Sequence, residues 1–324
     1  MFGRQWWVAL IAAGVAAAPV PAQELELELD LDLEEMAQSV EAWAVENLDE
    51  EALRALREAD REQVLRFFTD IQKQLHGDYV LDLGGLKDTA RAALPLLQQY
   101  EETAPYAAWL KPRLDYFEVV DQLILKVPPP KPEPGQPPPP RTNPPPALQR
   151  EIWVRKLAGE PWPPAARTLV PQLKPIFKQA GVPPELVWIA EVESSFDPRA
   201  RSPAGAAGLF QLMPATARQH GLRTTWPLDQ RLKPEPSARA AAQHLAYLYR
   251  QFKDWRLALA AYNAGEGTVR NALKRQAAAS FDAIASRLPA ETQMYVPKVE
   301  AVLLRREGLS LNRLRFPPAP AGKS

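Results

Sequence analysis

Residues 182–197 read VPPELVWIAEVESSFD, and the placing of the two glutamates in this stretch decides how the chain folds around it. Pro184 suits the first turn of a helix, where its missing amide hydrogen is not needed, so the residues that follow are expected to be helical. An α-helix turns about 100° per residue. With Leu186 at the origin, Ile189, Ala190 and Glu193 fall within about 60° of it, whereas Glu191 points about 140° away, toward the least apolar sector. Glu193 is thus expected on the buried stripe, in the last turn. Burial raises a carboxyl pKa, and a helix C-terminus disfavours negative charge, so both push the same way. A glutamic acid kept protonated near neutral pH can act as a general acid. Taken alone, the pattern leaves open a structural glutamate paired with an arginine.

Working outward, the flanking segments also read as helices. ALQREIWVRKLAG (147–159) ends at Gly159, a C-terminal stop. AARTLVPQLKPIFKQAG carries Pro171 and Pro175, which predict a kinked or broken helix. SARAAAQHLAYLYRQF offers Ser237 as an N-cap and repeats apolar residues at Leu245, Leu248, Tyr249 and Phe252. WRLALAAYNAG stops at Gly265. No convincing run of alternating strand residues occurs, and the fold class is all-α.

The N-terminal half is different in kind. Residues 1–22 have Arg4, the apolar core WWVALIAAGVAAA and a small-residue ending at Val20 and Ala22, which together predict a cleaved export signal. The core is shorter than the ~20 apolar residues of a spanning helix, so no transmembrane anchor is expected after cleavage. ELELELDLDLEE (24–35) alternates like a strand, but its charge density and lack of a partner favour a tail. Residues 36 to about 126 read as helices, with Leu65, Phe68, Ile71 and Gln72 in three-four spacing and Thr103 as a cap before Pro105. The acids of this segment are expected to form a solvated face. Residues 128–146 contain 12 prolines in 19 positions, a composition that favours an extended polyproline II spacer. The expected domains are therefore a signal peptide at 1–22, an acidic helical domain at 23–127, a proline-rich linker at 128–147 and a basic helical domain at 148–324.

The formal charge of zero hides an asymmetry. Residues 23–127 hold 10 basic and 24 acidic side chains, a net of −14, and residues 148–324 hold 26 and 14, a net of +12. A basic half favours an anionic polymer. The candidates are nucleic acid, a lipid surface or the cell wall, of which nucleic acid is disfavoured for an exported chain. The absence of cysteine excludes disulfides and thiolate metal sites. His220 and His244 have no metal-ligand spacing, and neither metal nor cofactor is expected.

The stretch after Glu193 reads ESSFDPRARSPAGAAGLFQLMPATA, followed later by LALAAYNAGEGTV (257–269) and LPAETQMYVPKV (288–299). In this order, over roughly residues 150–305, the blocks resemble the catalytic domain of family 1 lytic transglycosylases. The resemblance implies a lysozyme-like helical domain that cleaves the β-1,4 bond between N-acetylmuramic acid and N-acetylglucosamine in peptidoglycan glycan strands. It makes Glu193 the only catalytic carboxylate, acting first as acid and then as base on the muramyl C6 hydroxyl to leave a 1,6-anhydro end. It implies that Ser202 positions the N-acetyl group, Gln211 binds substrate, Tyr262 and Asn263 line the cleft, and Tyr295 sits near the acid. Phe210 departs from the family's usual methionine, a change of packing between similar apolar side chains. The expected location is the periplasm or cell envelope. Residues 23–127 carry no such resemblance and are open to a cell-wall protein partner. A hydrolytic muramidase resembling goose-type lysozyme would need a second carboxylate, for which Asp197 and Glu266 are weak candidates. The other alternative is a non-catalytic peptidoglycan-binding protein, against which intact Glu193, Gln211 and Tyr262 argue.

Overall fold

The computed structural model describes residues 61–98, 101, 103–127, 142–225, 228–314 and 316, so the signal, the alternating tail and most of the proline run lie outside the described residues. Helices α1 (Arg61–Leu75), α2 (Lys87–Leu97) and α3 (Ala104–Lys126) precede the proline run. After it come α4 (Pro146–Leu157) and α5 (Ala166–Gln179). A 3₁₀ turn at Pro184–Trp188 leads into the short α6 (Ile189–Ser194). Then follow α7 (Pro214–Gln219), α8 (Pro234–Phe252), α9 (Trp255–Ala264), α10 (Glu266–Gln276), α11 (Phe281–Ile284) and α12 (Ala290–Glu307). Among the described residues there is no strand, only isolated bridges joining Arg201, Ala207 and Leu212.

The centre of the fold is α12. Every residue from Thr292 to Leu303 is buried, as expected of a helix surrounded on all sides. It packs on α4, α9 and α6. One continuous apolar core runs from Phe68 and Ile71 in α1, through Phe117 and Val120 in α3 and Trp153 in α4, to Val299 and Leu303 in α12.

That continuity corrects the expectation of an acidic domain held apart. Residues 61–127 dock against the basic half. Asp115 pairs with Lys298 at 3.0 Å and Lys156 at 3.4 Å, and Glu118 pairs with Lys156 at 3.0 Å. These two acids are therefore half-buried and paired, whereas Asp70, Asp82, Asp88 and Glu101 are exposed as expected. The Arg201 amide donates to the Pro105 carbonyl and the Ala290 amide to the Gly77 carbonyl. The end of the proline run is tied to the same segment: Asn143 accepts from the Val80 amide and donates to the Asp78 carbonyl. Local ion pairs and a shared apolar surface hold the two parts together, while most of the acidic excess of residues 23–127 belongs to residues 23–60, outside the described residues.

Other local expectations also change. Of the kinked or broken helix expected at Pro171 and Pro175, the break does not occur: both sit inside α5. Both lie on its exposed face with Arg167, where carbonyls deprived of a helical partner can be hydrated. Ser237 is not a cap but a buried residue inside α8, which starts at Pro234 after Lys233. Prolines in the first turn set that start. Thr103 does precede α3, yet its hydroxyl donates to the Leu97 carbonyl rather than capping the helix.

Candidate active site

Glu193 ends α6 and is 4% exposed. Its Oε1 accepts a hydrogen bond of 2.7 Å from the Tyr295 hydroxyl on α12. Burial pushes the carboxyl up to about 7, against the pull of Arg113 and the Tyr295 hydrogen bond and with the help of Glu291. The acid form is thus populated near neutral pH, as a proton donor needs.

Glu191 does not face water as its place on the helical wheel predicts. It is 9% exposed, and Arg306 from α12 holds it with two bonds of 2.7 and 3.0 Å. Arg306 is itself fixed by the Glu160 and Pro161 carbonyls. Both glutamates are therefore buried and are told apart by their partners: Glu191 meets a bidentate cation, Glu193 a phenol.

The chain leaves α6 through Ser195 and Phe196, both with positive φ (52° and 62°). Such conformations cost non-glycine residues about 1–3 kcal/mol each and persist where surrounding structure imposes them. The buried Phe196 ring sits edge-on to Trp188 at 5.6 Å, and its amide bonds the Ala190 carbonyl. The Ser194 hydroxyl donates to the Leu209 carbonyl, tying the helix end to the loop at 200–212.

That loop carries two of the expected residues. Ser202 Oγ accepts from the Ala206 amide at 2.9 Å. Gln211, at φ 43°, donates its amide to the Ala200 and Gly208 carbonyls, while its buried Oε1 has no partner. Gly208 has φ 82°, and a Cβ there would lie 1.9 Å from the Arg231 carbonyl oxygen, so only glycine fits. The buried Arg231 side chain, oriented by Asp229, donates to the Gly205 and Leu212 carbonyls and pins the loop.

The remaining expected residues lie on α9 and α12. Tyr262 on α9 donates to the Phe210 carbonyl at 2.7 Å. Phe210 itself is buried against Phe177, ring centroids 5.6 Å apart. Asn263 accepts from the Thr292 hydroxyl, one turn before Tyr295. Arg113, Asp229 and Arg231 were not singled out from the sequence. Their partners lie far along the chain or in a loop whose path the sequence pattern does not show. Asp197 caps the turn at Arg199, and Glu266 opens α10. Among the described residues no group of three or more histidine or acidic side chains could hold a metal ion, and no helix is long and apolar enough to cross a membrane.

Residues 174–285 match the family described as Transglycosylase SLT domain. Membrane-bound lytic murein transglycosylase D of Escherichia coli (strain K12) is 44% identical over 128 residues, covering 39% of this chain and 28% of that protein. Soluble lytic murein transglycosylase of Salmonella typhimurium (strain LT2) is 41% identical over 122 residues, 35% of this chain and 19% of that protein. A crystal structure of lytic transglycosylase Slt from Pseudomonas aeruginosa aligns over 84% of this chain and 49% of that one, at 21% identity and a TM-score of 0.39. The chain thus spans about a quarter of the length of the first of these relatives. The matched segment, residues 174–285, holds Glu193, Gln211 and Tyr262.

Proposed function

We propose that this protein is a lytic transglycosylase acting on peptidoglycan in the cell envelope. The observation that carries the proposal is a buried carboxyl with no cation directly on it, Glu193, raised to about 7 and hydrogen-bonded by Tyr295, within the matched segment. Protonated Glu193 gives its proton to the glycosidic oxygen as the bond from muramyl C1 breaks, and the N-acetylglucosamine leaves with a free hydroxyl. The substrate's own N-acetyl oxygen supports the electron-poor C1. The Glu193 carboxylate then takes the proton of the muramyl C6 hydroxyl as that oxygen bonds to C1, which closes the 1,6-anhydro ring and restores the acid. No water enters. Ser202 would position the N-acetyl group. Gln211 would bind substrate from the same loop. Tyr262 and Asn263 would line the cleft.

A hydrolase would need a second carboxylate to activate water. The carboxylate that acts on Glu193 is Glu291, and it is engaged by Arg113 at 3.0 Å, which favours the anhydro route. The test is mass spectrometry of purified peptidoglycan digested by the full chain, with Glu193→Gln alongside. Anhydromuramic ends from the wild type and none from the variant are expected. Reducing muramic ends would establish the hydrolytic reading instead.

A further inference from the structure

Arg113 lies on α3, outside the matched domain, yet it reaches the end of the helix that carries Glu193. It is 6% exposed. Its Nη1 donates to the Trp109 carbonyl at 3.0 Å and to the Glu193 carbonyl at 3.4 Å. Its Nη2 lies 3.0 Å from Glu291 Oε1, and the guanidinium stacks over the Trp109 ring at 4.5 Å. Burying a guanidinium is costly unless it is paired and geometrically held. Here an anion, a ring and two carbonyls hold it, and one of those carbonyls belongs to Glu193 itself.

We propose that Arg113 is a positioning residue for the general acid: it clamps the C-terminal carbonyl end of α6, and with Glu291 it places a fixed ion pair behind the Glu193 carboxyl. The proposal rests on the reading of Glu193 as the acid. It also makes residues 61–127 part of the catalytic unit, because the clamp comes from α3.

The chemistry explains why such a pair is needed. Glu193 must be neutral before the first proton transfer and anionic after it. In a desolvated pocket the anion would be strongly disfavoured. A cation alone would hold Glu193 ionised from the start, and the Glu291 charge offsets it. The other groups that act on Glu193 are the hydroxyl of Tyr295 and the more distant Lys298 on α12, with the neutral phenols of Tyr116 on α3 and Tyr262 on α9 also within its field. None of these combines contact with the Glu193 backbone and a charge.

The two members of the pair therefore affect the acid in opposite senses, and this separates tuning from mere support. The experiment measures kcat/KM on purified peptidoglycan against pH for the full-length chain and for Arg113→Gln, Arg113→Lys and Glu291→Gln, with thermal melts and Glu193→Gln as control. Activity should fall at high pH as Glu193 loses its proton. Arg113→Gln is expected to move that basic limb to higher pH and to cost tenfold or more in rate at its optimum. Arg113→Lys should return the limb most of the way. Glu291→Gln should move it to lower pH. If Arg113→Gln does not fold, the downward displacement of Glu291→Gln decides, with Arg113→Lys staying close to the wild type. A folded Arg113→Gln or Glu291→Gln whose limb coincides with the wild type, or the two moving in the same direction, would overturn the inference while an inactive Glu193→Gln leaves the acid assignment standing. A Glu193→Gln chain that still cleaves would overturn both.

Discussion

Replacing Glu193 with glutamine should make the protein more stable at neutral and alkaline pH while removing its activity. The folded carboxyl is raised to about 7 from an ordinary value of 4.5. Between those values the native state holds a proton that the unfolded chain has released. Stability contributed by this group is therefore fully present below pH 4.5 and is lost as pH rises through 7. The raise corresponds to about 3 kcal/mol, at 1.36 kcal/mol per pKa unit. Glutamine has the same shape and no charge to bury, and its amide can still accept from Tyr295. The gain of Glu193→Gln over wild type should thus be near zero at pH 4 and approach about 3 kcal/mol at pH 8. Urea unfolding followed by tryptophan fluorescence at pH 4, 6 and 8 measures it. The comparison must be a difference between the two chains, because His244 acts in the opposite direction. Burial and His220 hold its pKa down to about 4, so it contributes stability that is lost as pH falls from its ordinary 6.5 through 4. That part cancels in the difference. Parallel stability curves for the two chains from pH 4 to 8 would refute the claim that Glu193 is buried with a raised pKa.

Glu191→Gln should keep turnover near wild type but lower stability, since it leaves the buried Arg306 without its anion; breaking such a pair costs about 3–5 kcal/mol, and a melt with unchanged midpoint would contradict the pairing. Lys298→Met should loosen the seam between α3 and α12, because Lys298 is 2% exposed and meets Asp115 together with the rings of Tyr116 and Trp153. The expected loss is again about 3 kcal/mol or more, and amide exchange should rise in both helices rather than in α12 alone. Gly208→Ala should fail at the loop, with a Cβ placed 1.9 Å from the Arg231 carbonyl oxygen. A destabilisation of at least about 2 kcal/mol is expected, with loss of cleavage even at temperatures where the chain stays folded.

Much of the helical architecture was legible because it depends on residues close in sequence. The three-four spacing of Phe68, Ile71 and Gln72 appears as buried positions of α1, and Gly265 ends α9 where a positive φ of 85° is required. Glu193 was placed on the buried side by its phase relative to Leu186 and Ile189, all of which are buried. The same wheel misplaced Glu191, since exposure depends on what covers a face and here the cover is Arg306, 115 residues later. The 3₁₀ turn at Pro184–Trp188 also changes the phase locally, at about 120° per residue instead of 100°. The charge split between the halves could be counted from the sequence, but not which charges would meet: Asp115 and Glu118 find Lys156 and Lys298 across helices distant in the chain. Arg113 is the extreme case. In the sequence KPRLDY it is one charge among many, and only the packing of α3 on α6 brings it to the carbonyl of Glu193. Local periodicity determines which residues a helix can bury. Which charges meet there is settled by contacts between segments far apart in sequence, and no local pattern encodes those.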